Sequence, residues 1–219
     1  MNMKKIAVII YPHFSLQEIT TLTSCLKLWF DKEIDFLGSE LIIYKSEEGF
    51  QVTPTKTFNE VNLEDYSCII LPGIINPLPA LYDNLLISFL SGLKNRDIII
   101  ASISSSPLLL AKAGLLNDTK FTAGIFMEMV DIFSFIKKEN YINQPIVKDK
   151  NIITAIGFAF REFAEQVLSE LGFDVGESFM LPVTKEYTKE ELTFYFENSD
   201  YQEFIKELEK YQNITSHNK

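Results

Sequence analysis

Ile98-Ile99-Ile100-Ala101-Ser102-Ile103-Ser104-Ser105-Ser106-Pro107-Leu108-Leu109-Leu110-Ala111 is the stretch that decides the architecture. A β-branched apolar run stops at small residues, meets a proline and resumes as leucines. This pattern predicts a buried strand, a tight turn and a helix with Pro107 at its first position. Such a turn lifts one side chain, Ser104, out at the sheet edge beside a helix N-terminus, where a nucleophile elbow sits.

Working outward, other apolar runs repeat the motif. Ile6 to Tyr11 and Tyr66 to Leu71 read as strands buried on both faces. Short strands are expected over Glu33 to Gly38 and Leu41 to Lys45, then a small hairpin around Gly49, Gln51 to Thr53 and Pro54. Ser15, with Glu18 three residues on, has capping-box spacing and predicts a helix running to about Phe30. Further helices are expected over Asp83 to Lys94, Pro107 to Ala113 (closed by Gly114), Met127 to Lys137 and Phe160 to Leu171. Phe121 to Ala123 reads as a short strand, and Lys148 to Asn151 as a polar turn between Pro145–Val147 and Ile152–Ala155. Strands alternating with helices imply an α/β domain whose parallel sheet is covered on both faces.

The chain has 219 residues, room for one large core, read as an α/β domain over 1–184 and a helical extension over 185–219 packed on it, its last residues frayed. A net charge of −10 argues against nucleic acid and gives no attraction to an anionic membrane. No run approaches a membrane span, and the first apolar run is too short for a signal peptide. Cys25 and Cys68 form no spaced motif and read as buried free thiols, which fits a cytoplasmic location. No metal or cofactor is expected.

Four places together resemble the ThiJ/PfpI family of the class I glutamine-amidotransferase-like superfamily. They are Tyr11-Pro12-His13-Phe14-Ser15-Leu16-Gln17-Glu18, Asp65 to Gly73 ending in Leu71-Pro72-Gly73, Ala101 to Leu116, and Asn151 to Phe163. The resemblance covers roughly Lys4 to Gly172 and implies a flavodoxin-like, doubly wound three-layer sandwich with a mostly parallel central sheet. It also implies that Glu18 matches the family glutamate, which lies beside the nucleophile. The departures matter equally. Ser104 stands where the family has its cysteine. The stretch Phe121 to Phe126 lacks the histidine often found there. Ile74 replaces the second glycine of Leu-Pro-Gly-Gly, and the Gly-Pro-Gly turn reads Gly157-Phe158-Ala159.

A helix N-terminus helps ionise a cysteine but cannot usefully ionise a serine, so a base is needed. Of the two histidines, His217 lies in the polar tail and reads as solvated. His13 follows the first strand, at the end of the sheet where ligands bind in such folds. A Ser104–His13–Glu18 relay is therefore one reading, a partly exposed loop histidine with no catalytic task is a second, and a metal or ligand contact is a third. Glu18 is either a capping residue or, by the resemblance, a partly protonated carboxyl aimed at Ser104. The N–H groups of Ile74 and Ser105 are candidate oxyanion donors, although Ile74 takes positive φ poorly. Asn76 offers a polar contact or forms a turn, and Ser106 reads as a helix cap. Phe126, Phe133, Phe158 and Phe160 line the site or pack the core, and Trp29 reads as packing or interface.

The expectation is a protein that has lost the family's cysteine-dependent activity. It retains a pocket near Gly73, Ile74, Asn76 and Ser105 for a small carbonyl or anionic ligand, with Ser104, Glu18 and His13 as the catalytic candidates. Two alternatives are a serine-dependent hydrolase or amidase working through Ser104, and an interaction protein. The latter is a homodimer, as is common in the family, or a partner-bound subunit, with the acidic tail helix Glu190 to Tyr211 as a candidate surface.

Overall fold

The centre of the sheet is made from strands with no polar face. In a computed structural model that describes residues 4–176 and 186–217, β1 (Lys5–Ile9) buries every residue after Lys5. The chain continues through α1 (Gln17–Ser24), extended by a π-helical turn over Cys25–Trp29, and β2 (Ile34–Gly38). A two-stranded hairpin, β3 (Tyr44–Lys45) with β4 (Gln51–Val52), leads to β5 (Lys56–Thr57) and β6 (Tyr66–Leu71). Next come α2 (Leu78–Leu81), α3 (Asn84–Ser91), β7 (Ile99–Ile103), α4 (Pro107–Lys112) and α5 (Met127–Ile132). The antiparallel pair β8 (Ile146–Asp149) and β9 (Ile152–Ala155) precedes α6 (Phe160–Glu170), and α7 (Asn198–His217) ends the described chain.

Seven strands lie in the order β5-β2-β1-β6-β7-β9-β8, all parallel except the edge strand β8. This is the expected doubly wound flavodoxin-like sheet. Ile19, Leu22, Cys25 and Leu26 recur at helical spacing and bury the α1 face, which packs against Phe163, Ala164, Val167 and Leu168 of α6. The strands β1, β6, β7 and β9 all end at the elbow, so the core fixes where the site is.

Several expectations change in detail. Phe121 to Ala123 contributes only an isolated bridge, Phe121 to Tyr141, and α5 stops at Ile132. The 83–94 helix is preceded by the extra turn α2, and Asp83 Oδ1 caps α3 by accepting from Leu85 N at 3.0 Å and Leu86 N at 3.1 Å. The proposed boundary at 184/185 lies outside the described residues. Helix α7 runs to His217 and buries Phe204 and Leu208 against the core. Both cysteines are buried and free. Among the described residues, no helix is long and apolar enough to cross a membrane.

The capping of α1 departs most from the sequence expectation. Ser15 makes no cap: the helix starts at Gln17 with Leu16 before it. Glu48, from the hairpin, accepts from Gln17 N at 2.9 Å and from Ser15 Oγ at 3.2 Å. A carboxylate there also meets the positive end of the helix dipole. Glu18 is thereby freed from capping.

Glu48→Ala should lower stability by about 1 kcal/mol, as loss of a side-chain cap does, and Glu48→Gln by less, because its amide oxygen still accepts. The hydrogen bonds from Gln17 and from Ser46 outweigh burial and hold the Glu48 carboxyl below its ordinary value. This contribution is therefore present above the ordinary carboxyl range and fades as pH falls through it. Urea denaturation at pH 7 and pH 4 measures both effects. Equal midpoints for Glu48→Ala and the native chain at pH 7 would remove Glu48 as the cap.

Candidate functional site

At the end of β7 the chain turns so sharply that Ser104 takes φ of +61°. A non-glycine residue in the left-handed region carries roughly 1–2 kcal/mol of strain. Two backbone bonds hold it there: Ser104 N donates to Ala155 O, and Gly124 N donates to Ser104 O, both at 2.8 Å. The flanking serines tie the turn to the sheet. Ser106 Oγ accepts from Ile103 N at 3.0 Å and lies within reach of Leu71 O at 3.0 Å and Ser102 Oγ at 2.7 Å. It stitches the ends of β6 and β7 together and makes no cap of α4. Ser105 Oγ accepts from Ile74 N at 3.2 Å and donates to Ile74 O.

Glu18 reaches the elbow from α1. Its carboxyl sits beside the Ser104 hydroxyl, wedged between Gly73 and Gly157. A Cβ on Gly73 would overlap Glu18 Oε2 and stand 2.7 Å from Ser104 Cβ. A Cβ on Gly157 would overlap Glu18 Oε1 and stand 3.1 Å from Ser104 Oγ. Two glycines thus make the slot that the carboxyl fills, and Oε2 is buried in it without a hydrogen-bond partner. Burial is the main cause that lifts Glu18 from the ordinary 4.5 to about 7; Glu47 and Glu48 push the same way, against the Ser104 hydroxyl and the Gly73 N–H. At neutral pH this carboxyl is about half protonated, so it both donates and accepts.

The other sequence candidates are divided. His13 shares the rim of the site but is exposed, with φ of +62°. Its backbone N donates to Lys45 O at 3.0 Å and its carbonyl accepts from Ile75 N at 3.2 Å. Among the described residues, its ring makes no hydrogen bond to Ser104 or Glu18. Ile74 has no positive φ; it bridges to Phe14, and its N–H is taken by Ser105. Asn76 is a turn former: Oδ1 accepts from Leu78 N at 3.1 Å, while Nδ2 donates to Glu207 Oε1 at 2.8 Å. Phe133 is core, whereas Phe158 is partly exposed and lies tilted against Tyr187, with ring centroids 4.8 Å apart. Trp29 is exposed. Sequence reasoning missed the hairpin carboxylates Glu47 and Glu48, which no local spacing connects to Glu18. It also missed the slot role of Gly157, although the resemblance set this residue in the family's Gly-Pro-Gly turn.

The slot has a thermodynamic signature. A carboxyl whose folded value lies above its unfolded one contributes stability at low pH that is lost as pH rises through the folded value. Between about pH 4.5 and pH 7 the native protein should therefore lose about 3 kcal/mol through Glu18. Glu18→Gln mimics the protonated form, so it should remove most of that slope and be the more stable protein at pH 8. Urea melts of both at pH 5 and pH 8 test this; parallel slopes would mean that Glu18 is not buried as described.

With the geometry in place, the chain can be set beside known proteins. A family model described as the DJ-1/PfpI family matches residues 4–170. An isonitrile hydratase of Pseudomonas putida is 23% identical over 176 residues, covering 79% of this chain and 75% of the relative. The "Uncharacterized protease YoaZ" of Bacillus subtilis is 32% identical over 124 residues, covering 56% of this chain and 59% of the relative. Several of the curated relatives are matched over only about half of their length. Among solved structures, the DJ-1 superfamily protein Atu0886 of Agrobacterium tumefaciens superposes with a TM-score of 0.70 at 23% identity, covering 80% of this chain and 94% of that one. The elbow, the sheet order and the match across most of its length agree: this chain belongs to the DJ-1/PfpI family.

Proposed function

We propose that this protein has lost the cysteine-dependent chemistry of its family and works as a binding protein for a small neutral carbonyl compound at the Glu18–Ser104 pair. The observation that carries this reading is the partner of the elbow hydroxyl. It is a carboxyl of about the same affinity for protons as water-exposed imidazole, and that carboxyl is buried with an unpartnered oxygen. Serine needs a base to become a nucleophile; a carboxyl titrating near 7 has the proton affinity for that task, but the Ile74 N–H that would stabilise the resulting oxyanion is already taken by Ser105. A protonated Glu18 and the Ser104 hydroxyl are, in contrast, suited to donate hydrogen bonds to a carbonyl oxygen. Of the two ligand classes the sequence allowed, the anionic one fits less well. Glu18, Glu47 and Glu48 gather at this end of α1, and like charge repels an anion. The names carried by relatives, protease and isonitrile hydratase, describe those proteins. They support a site that handles small polar carbon–heteroatom bonds, and no more is transferred.

A serine-dependent hydrolase is the competing reading, favoured by the strained backbone of Ser104. The oxyanion arrangement counts against it, because the Ile74 N–H already donates to Ser105. A fluorophosphonate probe separates the two. Binding without catalysis predicts no labelling that Ser104→Ala removes, and no conversion of methylglyoxal to lactate above the Ser104→Ala background. Methylglyoxal should nevertheless shift the NMR signals of Glu18 and Ser104 in the native chain. Stoichiometric Ser104 labelling would establish the hydrolase instead.

A further inference from the structure

The family match ends at residue 170, and everything from 186 onward is additional to it. That addition touches each of the three loops whose glycines surround Ser104. Leu192 packs with Ile156 and Ala159, on either side of Gly157. Phe194 O accepts from Met127 N at 2.8 Å, and Phe196 stacks on Phe126 at 3.9 Å, just after Gly124. Glu207, on α7, accepts from Asn76 Nδ2 at 2.8 Å, three residues beyond Gly73.

We propose that α7 is a positioning element of the elbow, with Glu207 acting through Asn76 to hold the Gly73–Ile74 segment against the Glu18 carboxyl. Asn76 alone closes its turn with one bond, from Leu78 N to its Oδ1. The bond to Glu207 fixes the second end of the same planar amide, and so fixes the direction in which the loop leaves β6. Gly73 has no slack to absorb a change, because its Cα faces Glu18 Oε2 at a distance that excludes even a methyl group. A charged acceptor makes this bond stronger than a neutral one, and it ties loop to helix across 131 residues. Glu207 touches neither Glu18 nor Ser104 in any contact the structure shows; it is a positioning residue.

The proposal rests on the reading that Glu18 and Ser104 form the working pair, and the test keeps the two apart. The Glu18 side-chain carboxyl is titrated by 13C NMR in the full chain, in Glu207→Ala, Glu207→Gln and Asn76→Ser, with a thermal melt of each. Glu207→Gln keeps an acceptor for Asn76 and should titrate as the native protein does. Glu207→Ala and Asn76→Ser (the latter retains a turn acceptor and lacks the amide donor) should let water into the slot. Their Glu18 midpoint should move toward the ordinary carboxyl value by at least about half a pH unit. An unchanged midpoint in both overturns the positioning role. An equal shift in Glu207→Gln overturns it too, since the effect would then be through-space charge. A native midpoint near 4.5 instead overturns the Glu18–Ser104 reading itself.

Discussion

A carboxyl group kept in a space that only glycine leaves open is the constraint around which this end of the molecule is organised. Glu18 enters from α1, Gly73 from the end of β6 and Gly157 from the turn before α6, and the elbow closes the fourth side. Burying an ionisable group is unfavourable unless it is paired or neutral. Here burial outweighs the Ser104 hydroxyl and the Gly73 N–H, so the group takes up a proton near neutrality. Glu48 matters for the same reason. By capping α1 it releases Glu18 from the helix start, and as a like charge it raises the proton affinity further.

Oxygen in place of sulfur changes what such a slot does. Beside a thiolate, a protonated carboxyl would donate a hydrogen bond and stabilise the charge. Beside a hydroxyl there is no charge to stabilise, and the pair is left as two groups that can each donate. The neighbouring loop adapts in step. Where the family pattern has a second glycine, Ile74 adopts ordinary extended pairing with Phe14 and gives its N–H to Ser105. The backbone donor that an oxyanion would need is thereby satisfied inside the protein.

The strand–turn–helix around Ser104 could be read directly, because hydrophobic period and proline placement are local signals and the sheet leaves little freedom once they are set. The place of Glu18 beside Ser104 came from resemblance, and local chemistry pointed the other way, toward a cap shared with Ser15. That cap failed because its competitor, Glu48, is supplied by the hairpin and no spacing along the chain announces it. His13 shows the same limit. Its position at the carboxyl ends of the strands was legible, whereas its outward turn depends on a positive φ set by bonds to Lys45 and Ile75. Amphipathic spacing announced a helix in the tail, yet the aromatic stacking of Phe196 on Phe126 and the hold of Glu207 on Asn76 arise only when distant segments meet.

The left-handed backbone of Ser104 invites the inference that strain marks a reactive residue. The bonds around it argue differently. Ser104 N and O are each satisfied, by Ala155 and by Gly124, in strands and loops that are buried for reasons of their own. Ser106 adds a stitch from the turn to β6. The conformation is therefore over-determined by the sheet edge and would persist with any small side chain at 104. Strain here reports how a parallel strand passes into a helix. The chemistry is decided by what faces the side chain, and that is a largely buried carboxyl of raised proton affinity.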